Sequence, residues 1–280
     1  METKLILIEG IPGSGKSTIA RKIAGWYEER SITVNLYIEG QSHPADLGWN
    51  ACVPPTEYGD ILRRYGELRE DIEKHTVFEG DTAIVAYTQV KTGDRVFYDD
   101  MERYEVYDGR VTDEVFYNLH YGRWRAFAAA AAVKDELNIF ECAFLQNHVN
   151  ELVFWRNADE GEVIKHHNRL LEAVEALSPV LIYLSQPDIR ETIGRIARER
   201  VSAEYGDWID KCIAYCENSP YGKRNKINGY DGAIEFFLLR KRLEMKIIDQ
   251  LPIPHAVIDN PDYVWDAVWA SIVKYLTQFK

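Results

Sequence analysis

The stretch Leu5–Ala20, LILIEGIPGSGKSTIA, constrains this chain more than any other. Leu5, Ile6, Leu7 and Ile8 form an unbroken apolar run, the pattern of a strand buried on both faces in a parallel sheet. Gly10-Ile-Pro-Gly-Ser-Gly15-Lys16-Ser17 then meets the spacing G-x-x-x-x-G-K-[ST] without a gap. Behind it, Ile19, Ile23 and Trp26 fall on one face of an amphipathic helix. Each part has a physical task. Glycines let the backbone take positive φ and come close to an anion. Successive amide N–H groups form a concave nest, and the helix start adds its positive dipole end. The spacing therefore predicts that Gly10, Gly13, Ser14, Gly15, Lys16, Ser17 and Thr18 bind the phosphates of a nucleoside triphosphate. Lys16 reaches the β- and γ-phosphates, and the Ser17 hydroxyl sits on Mg²⁺. The motif leaves open whether the γ-phosphate goes to water, to a small molecule, or nowhere.

Further along, strands and helices alternate. Residues 31–40 predict a second strand ending at Glu39-Gly40. Residues 41–60 are rich in turn formers and predict a surface loop. A polar helix is expected over 61–75 and strand character over 76–90, broken at Glu79–Asp81. The whole of 41–120 reads as an irregular insertion with helices and a hairpin. The alanine run predicts a helix over 123–137. A buried strand over 138–147, a helix over 161–177 and a strand over 180–186 come next. A helical stretch over 188–217 bends near Gly206, and residues 218–230 read as a polar loop. A helix over 232–251, a short strand over 255–260 and a closing helix over 262–280 complete the chain. Such alternation predicts an α/β fold with a mostly parallel sheet covered on both faces. Ligands of such sheets sit at strand carboxyl ends. Gly10, Glu39, Glu141 and Ser185-Gln186 fall there.

Composition narrows the partners. A net charge of −12 over 280 residues repels nucleic acid at long range, so no nucleic-acid partner is expected. No apolar stretch approaches the ~20 residues that span a bilayer. No pattern of basic residues, apolar run and small-residue cleavage site marks the first residues. The four sparse cysteines suit a reducing compartment, so the expectation is a cytoplasmic protein without a membrane partner. Cys212 and Cys216, at i and i+4, have no His-rich partner nearby and read as buried or idle thiols.

The segment GIPGSGKST resembles the P-loop kinase group, the nucleoside, nucleotide and small-metabolite kinases. The resemblance implies a P-loop NTPase fold of three α/β/α layers over residues 1–280, with the 41–120 insertion binding the acceptor. It also implies roles for residues that match by position. Glu39, after the second strand, would contact or deprotonate the acceptor hydroxyl. Glu141, in IFECAF, would stand near Mg²⁺ or substrate, so that Ser17 and Glu141 make the metal site. Arg195, Arg198 and Arg200, in IGRIARER, would form a lid over the γ-phosphate, with Arg195 and Arg198 as the catalytic candidates. The chain has Glu141-Cys142-Ala143 where nucleoside kinases carry Glu-Arg-Ser or Asp-Arg. It has no Asn/Thr-Lys-x-Asp guanine signature.

Other residues read both ways. A carboxylate inside a buried strand needs a partner, so Glu141 either meets a cation or pairs with Arg123 or Arg125. His43, Arg123, Trp124, Gln146, Asn147 and His148 are candidates for acceptor contacts. His166 and His167 read as solvated on a polar helix. The expected function is an ATP- and Mg²⁺-dependent small-molecule kinase with an unidentified acceptor. The competing expectation is an ATPase or nucleotide-sensing regulator whose insertion binds a protein. Homodimerisation is left open.

Overall fold

The computed structural model describes residues 3–202, 206–261 and 263–279. The chain divides into two compact units, Met1–Glu39 with Trp124–Lys280, and Gly40–Arg123. In chain order it begins with strand β1 (Leu5–Gly10), helix α1 (Lys16–Glu28) and strand β2 (Thr33–Tyr37). Strand β3 (Ala51–Val53), helices α2 (Pro55–Arg64) and α3 (Arg69–Lys74), strands β4 (Thr76–Glu79) and β5 (Thr82–Val85) and helix α4 (Arg95–Met101) follow. Helix α5 (Asp113–Ala132), strand β6 (Glu136–Glu141), the short α6 (Gln146–Val149), a π-helical turn (Asn150–Trp155) and α7 (Glu160–Ala173) come next. The chain continues with β7 (Val180–Ser185), α8 (Ile189–Glu199), α9 (Trp208–Asn218), α10 (Pro220–Asn225), α11 (Gly229–Ile248), β8 (His255–Asp259) and α12 (Trp265–Leu276).

In the first unit five strands form one sheet in the order β2-β6-β1-β7-β8, and every neighbouring pair is parallel. The three central strands explain the apolar runs. All six residues of β1 and all six of β7 are buried. Ile6, Ile8, Ile139, Ile182 and Leu184 meet Ile19 and Ile23 of α1 and Val268 and Ile272 of α12 in one core. The strand order reverses direction beside β1, and the crevice at such a switch point is where α/β sheets hold ligands. The expected α/β class with a mostly parallel sheet is thus observed.

The second unit is more regular than its sequence suggests. Strands β3, β5 and β4 make a three-stranded antiparallel sheet in that order. Ala51, Val53, Ala83 and Val85 lie buried against Ile61, Leu62 and Ile72. The turn-rich residues 41–60 therefore contain a strand and a helix start. Pro55 at a helix N-terminus fills a position where the missing N–H costs nothing. The single helix expected over 61–75 is two helices separated by a short 3₁₀ turn at Gly66–Leu68.

Three further boundaries differ. The strand expected over 138–147 ends at Glu141, because Cys142 takes φ 67 and turns the chain into α6. Helix α5 begins ten residues before the expected start at 123 and ends at Ala132. The expected polar loop at 218–230 holds α10, started by Pro220 and capped by Ser219, whose hydroxyl accepts from Gly222 N. No helix among the described residues is long and apolar enough to cross a membrane.

The central strands set the stability of this unit. Ile182→Ala should destabilise the protein by about 2–5 kcal/mol, the usual range for a fully buried aliphatic residue. Urea denaturation of both proteins measures it.

Candidate functional site

The glycine loop and the carboxylates around it lie in the first unit. The loop between β1 and α1 is shaped by glycine. Gly13 has φ 81 and Gly15 has φ 93, a region that L side chains rarely adopt. A Cβ on Gly13 would lie 2.3 Å from Ile196 Cγ1, and one on Gly15 2.2 Å from Trp265 Cη2. The loop has room for backbone only. Gly15 caps α1, whose first turn carries no acidic side chain, so the positive helix end is not neutralised by its own residues. The Ser14 hydroxyl is buried and has no hydrogen-bond partner among the described residues. Such an orphaned donor inside an amide-rich loop fits an anion. Lys16 is buried and its Nζ donates to Ile11 O at 3.0 Å, closing the loop on itself. Burial works against its charge, while the nearby Glu141 and Glu39 carboxylates favour it, and the ammonium is held above its usual range. Ser17 stands half-buried beside it and Thr18 is exposed.

Opposite Ser17 stands Glu141, at the carboxyl end of β6. Its Oε1 accepts from Ser17 Oγ at 3.1 Å, and its Oε2 accepts from Glu39 N at 2.9 Å. The partner of this buried carboxylate is therefore a hydroxyl and a backbone amide; Arg123 instead pairs with Glu79 at 3.0 Å. Ligand atoms of Glu39, Glu141 and Cys142 lie within 4.8 Å of one another. Burial pushes the Cys142 thiol well above its ordinary range, so it remains protonated and is a poor donor to a hard cation. Ser17 and the two carboxylates are oxygen donors. Adjacent ligands of an octahedral Mg²⁺ at 2.0–2.1 Å stand about 3 Å apart, which the Ser17–Glu141 separation matches. These residues fit Mg²⁺, with Ser17 and Glu141 as the holding pair and Glu39 beside them.

Behind this pair runs a polar chain, of which the sequence singles out Glu39 and Gln146 but not Arg240, Glu244, Tyr183 or Glu9. Gln146 Nε2 donates to Glu39 Oε1 at 2.8 Å. Gln146 Oε1 faces Arg240 Nη2 at 3.5 Å. Arg240 Nε pairs with Glu244 Oε1 at 3.1 Å, and Tyr183 donates to Glu244 Oε2 at 2.6 Å. A carboxylate only accepts and a guanidinium only donates, so the amide of Gln146 has one possible orientation. Glu9, on β1, is fully buried. It accepts from Phe144 N at 2.7 Å and Gln146 N at 3.4 Å, and burial pushes its carboxyl up to about 8. Two signals were present in the sequence: Glu9 is the lone charge in a run buried on both faces, and Arg240 and Glu244 are i, i+4 on an amphipathic helix.

The arginines separate. Arg195 Nη2 donates to Gly13 O at 3.3 Å, and its guanidinium lies 3.4 Å from the ring centroid of Tyr263, whose hydroxyl also donates to Gly13 O at 3.0 Å. Arg198 and Arg200 are exposed, and Arg200 lies over Trp208 instead. The Arg195 side of α8 thus meets the glycine loop. Of the other candidates, Trp124 is fully buried against Phe140 and Phe144 and serves the core. Gln146, Asn147 and His148 lie in α6, from which Gln146 reaches the Glu39 carboxylate. His43 belongs to the second unit.

His166 and His167 correct the expectation of solvated histidines. Both are buried, with Val163, Leu170 and Leu171, on the inner face of α7. His166 Nε2 lies 3.0 Å from His148 Nδ1, and burial pushes His167 down to about 4. Spacing i, i+3, i+4, i+7, i+8 makes them part of the stripe that packs inward, despite their polar neighbours in sequence.

Glu9 gives a pH test. The folded chain holds the Glu9 proton up to about pH 8, whereas an unfolded chain releases it near 4.5. Between these values folding takes up a proton, so stability falls as pH rises through that window. Glu9→Gln should therefore gain on the wild type by up to about 3–5 kcal/mol between pH 4.5 and 8, as read by urea denaturation at several pH values. No protein-family model matches this chain, and no curated protein does either, so the chemistry of the site is argued from these side chains alone.

Proposed function

We propose that the protein is an ATP-dependent small-molecule kinase on a P-loop NTPase fold, transferring a γ-phosphate to an acceptor hydroxyl or phosphate. The observation that carries this reading is the pairing of a glycine loop closed by buried Lys16 with Ser17 and Glu141 at 3.1 Å. The parallel order β2-β6-β1-β7-β8, with the loop following the central strand, supports it.

The chain's own groups divide the work. Amides of residues 13–18 and the α1 dipole bind the phosphate oxygens. Lys16, released from Ile11 O, places its charge on the β- and γ-phosphates. Ser17 and Glu141 hold Mg²⁺, which when bound neutralises charge across the phosphates and orients them. Glu39 accepts the acceptor's proton, its carboxylate aimed by the Gln146 amide. Arg195 moves from Gly13 O to the transferring phosphoryl group, where a guanidinium stabilises developing charge. Acceptor binding is assigned to the Gly40–Arg123 unit, the segment inserted between β2 and β6 of the parallel sheet.

The test follows the label. The protein is incubated with Mg²⁺ and γ-labelled ATP, with and without a small-molecule extract of its own cells, and Lys16→Ala is the blank. Label in an organic product that requires the extract is the expected result. Label found only as inorganic phosphate, at equal rates with and without extract, overturns the kinase reading in favour of an ATPase. Glu141→Gln should lower the transfer rate by roughly 100-fold or more, through loss of a metal-holding carboxylate.

A further inference from the structure

The Gly40–Arg123 unit contains its own cavity of about 120 Å³, lined by the 40–43 and 48–50 loops, the α3 end, β4, β5 and Arg123. A cavity of about 150 Å³ accepts benzene, so this one has the size of a single six-membered ring. Its chemistry is uneven. The chain holds 45 acidic residues, yet none of the described residues lining the cavity is a carboxylate. Lys74, His75 and Arg123 line it instead. Arg123 is largely buried. Its Nη1 pairs with Glu79 and its Nη2 donates to His43 O at 3.3 Å, but its buried Nε has no partner. Lys74 is exposed and forms no ion pair among the described residues. His43 accepts from Ala45 N and Asp46 N through Nδ1, which puts its proton on Nε2 as a further donor. The cavity thus carries three basic side chains and no carboxylate, beside the neutral polar Gln41, Ser42, Asn50, Thr88 and Gln89.

One wall is aromatic. Trp49 lines the cavity, is 42% exposed, and sits at φ 58. A bulky residue in that region is strained, and the strain here leaves a large apolar ring open to solvent at the rim of a polar pocket. An indole face stacks on a flat or cyclic molecule. Thr88 adds a hydroxyl without a hydrogen-bond partner among the described residues.

We propose that this cavity binds a one-ring organic anion, a cyclic molecule bearing a carboxylate or phosphate, with its ring against Trp49 and its charge toward Lys74 and Arg123. A neutral sugar is disfavoured, because it brings Lys74 no anionic acceptor, and charge-assisted hydrogen bonds are roughly twice as strong as neutral ones. That the bound anion is the phosphoryl acceptor rests on the kinase reading above; the binding itself does not.

Calorimetric titration of the full chain without nucleotide tests it. The probes are 4-hydroxybenzoate for the carboxylate, glucose 6-phosphate for the phosphate, and glucose as the neutral ring. Saturable one-to-one binding of either anion is expected, with glucose at least about tenfold weaker. Trp49→Ala and Lys74→Ala, both at exposed positions, should each weaken the anion about tenfold or more, and Lys16→Ala should leave it unchanged. Which anion binds more tightly separates a carboxylate site from a phosphate site. Absence of saturable binding by both anions, equal or tighter binding of glucose, or indifference to both cavity variants overturns the proposal. Label going only to inorganic phosphate in the γ-phosphate experiment, with anion binding intact, would remove the kinase reading and leave this site standing.

Discussion

A single carboxylate ties the first unit's crevice together. Glu141 ends β6 and accepts from the Ser17 hydroxyl at the start of α1 and from the Glu39 amide after β2. Three separate segments are thereby fixed to one group whose residue is 3% exposed. A buried carboxylate is costly unless its lone pairs are met, so this group demands donors from both neighbours. The parallel register makes that demand satisfiable. Ile8 lies beside Glu141, and Tyr37 beside Phe140, so the three chain ends emerge at one level of the sheet.

Around that point, buried charge is arranged in layers. Lys16 stands in the inner one and stays charged because acidic groups surround it. Glu9 stands behind and keeps its proton to about pH 8, because burial outweighs the backbone amides that bind it. Arg240 and Glu244 make a buried ion pair, the kind that costs desolvation and is retained where it fixes geometry. Here it orients the Gln146 amide, and that amide aims Glu39. The core strand β7 is thus linked to a carboxylate at the surface of the crevice through a line of hydrogen bonds and one ion pair.

Misread segments share a cause. Polar neighbours in sequence made His166 and His167 look solvated, but helical periodicity put them on the packed face of α7. Asn218–Tyr230 is polar and rich in turn formers, yet Ser219 and Pro220 are a helix start, and α10 lies against the π-helical turn and α9. The strand predicted to 147 stops at Glu141, because the apolar residues after it, Ala143, Phe144 and Leu145, are buried by a turn and not by a strand. The sheet of the second unit has strands of three and four residues, too short for alternation to stand out against turn-rich flanks.

Local chemistry was legible without coordinates. An unbroken apolar run means a doubly covered strand, and the glycine spacing followed by lysine and serine means a backbone that can approach an anion. The positions of Glu39 and Glu141 just at or past strand ends were legible for the same reason, since strand ends are marked by where apolar residues stop. What folding alone settled is which distant groups meet. That Glu141 takes Ser17 and Glu39 N, that Arg195 and not Arg198 faces Gly13, and that Arg240 reaches Gln146 depends on strand order and helix rotation. These four contacts join residues 94 to 182 positions apart, three of them more than 100. Sequence patterns report a residue's own neighbours along the chain, and hydrogen-bond partners at such separations are chosen by packing.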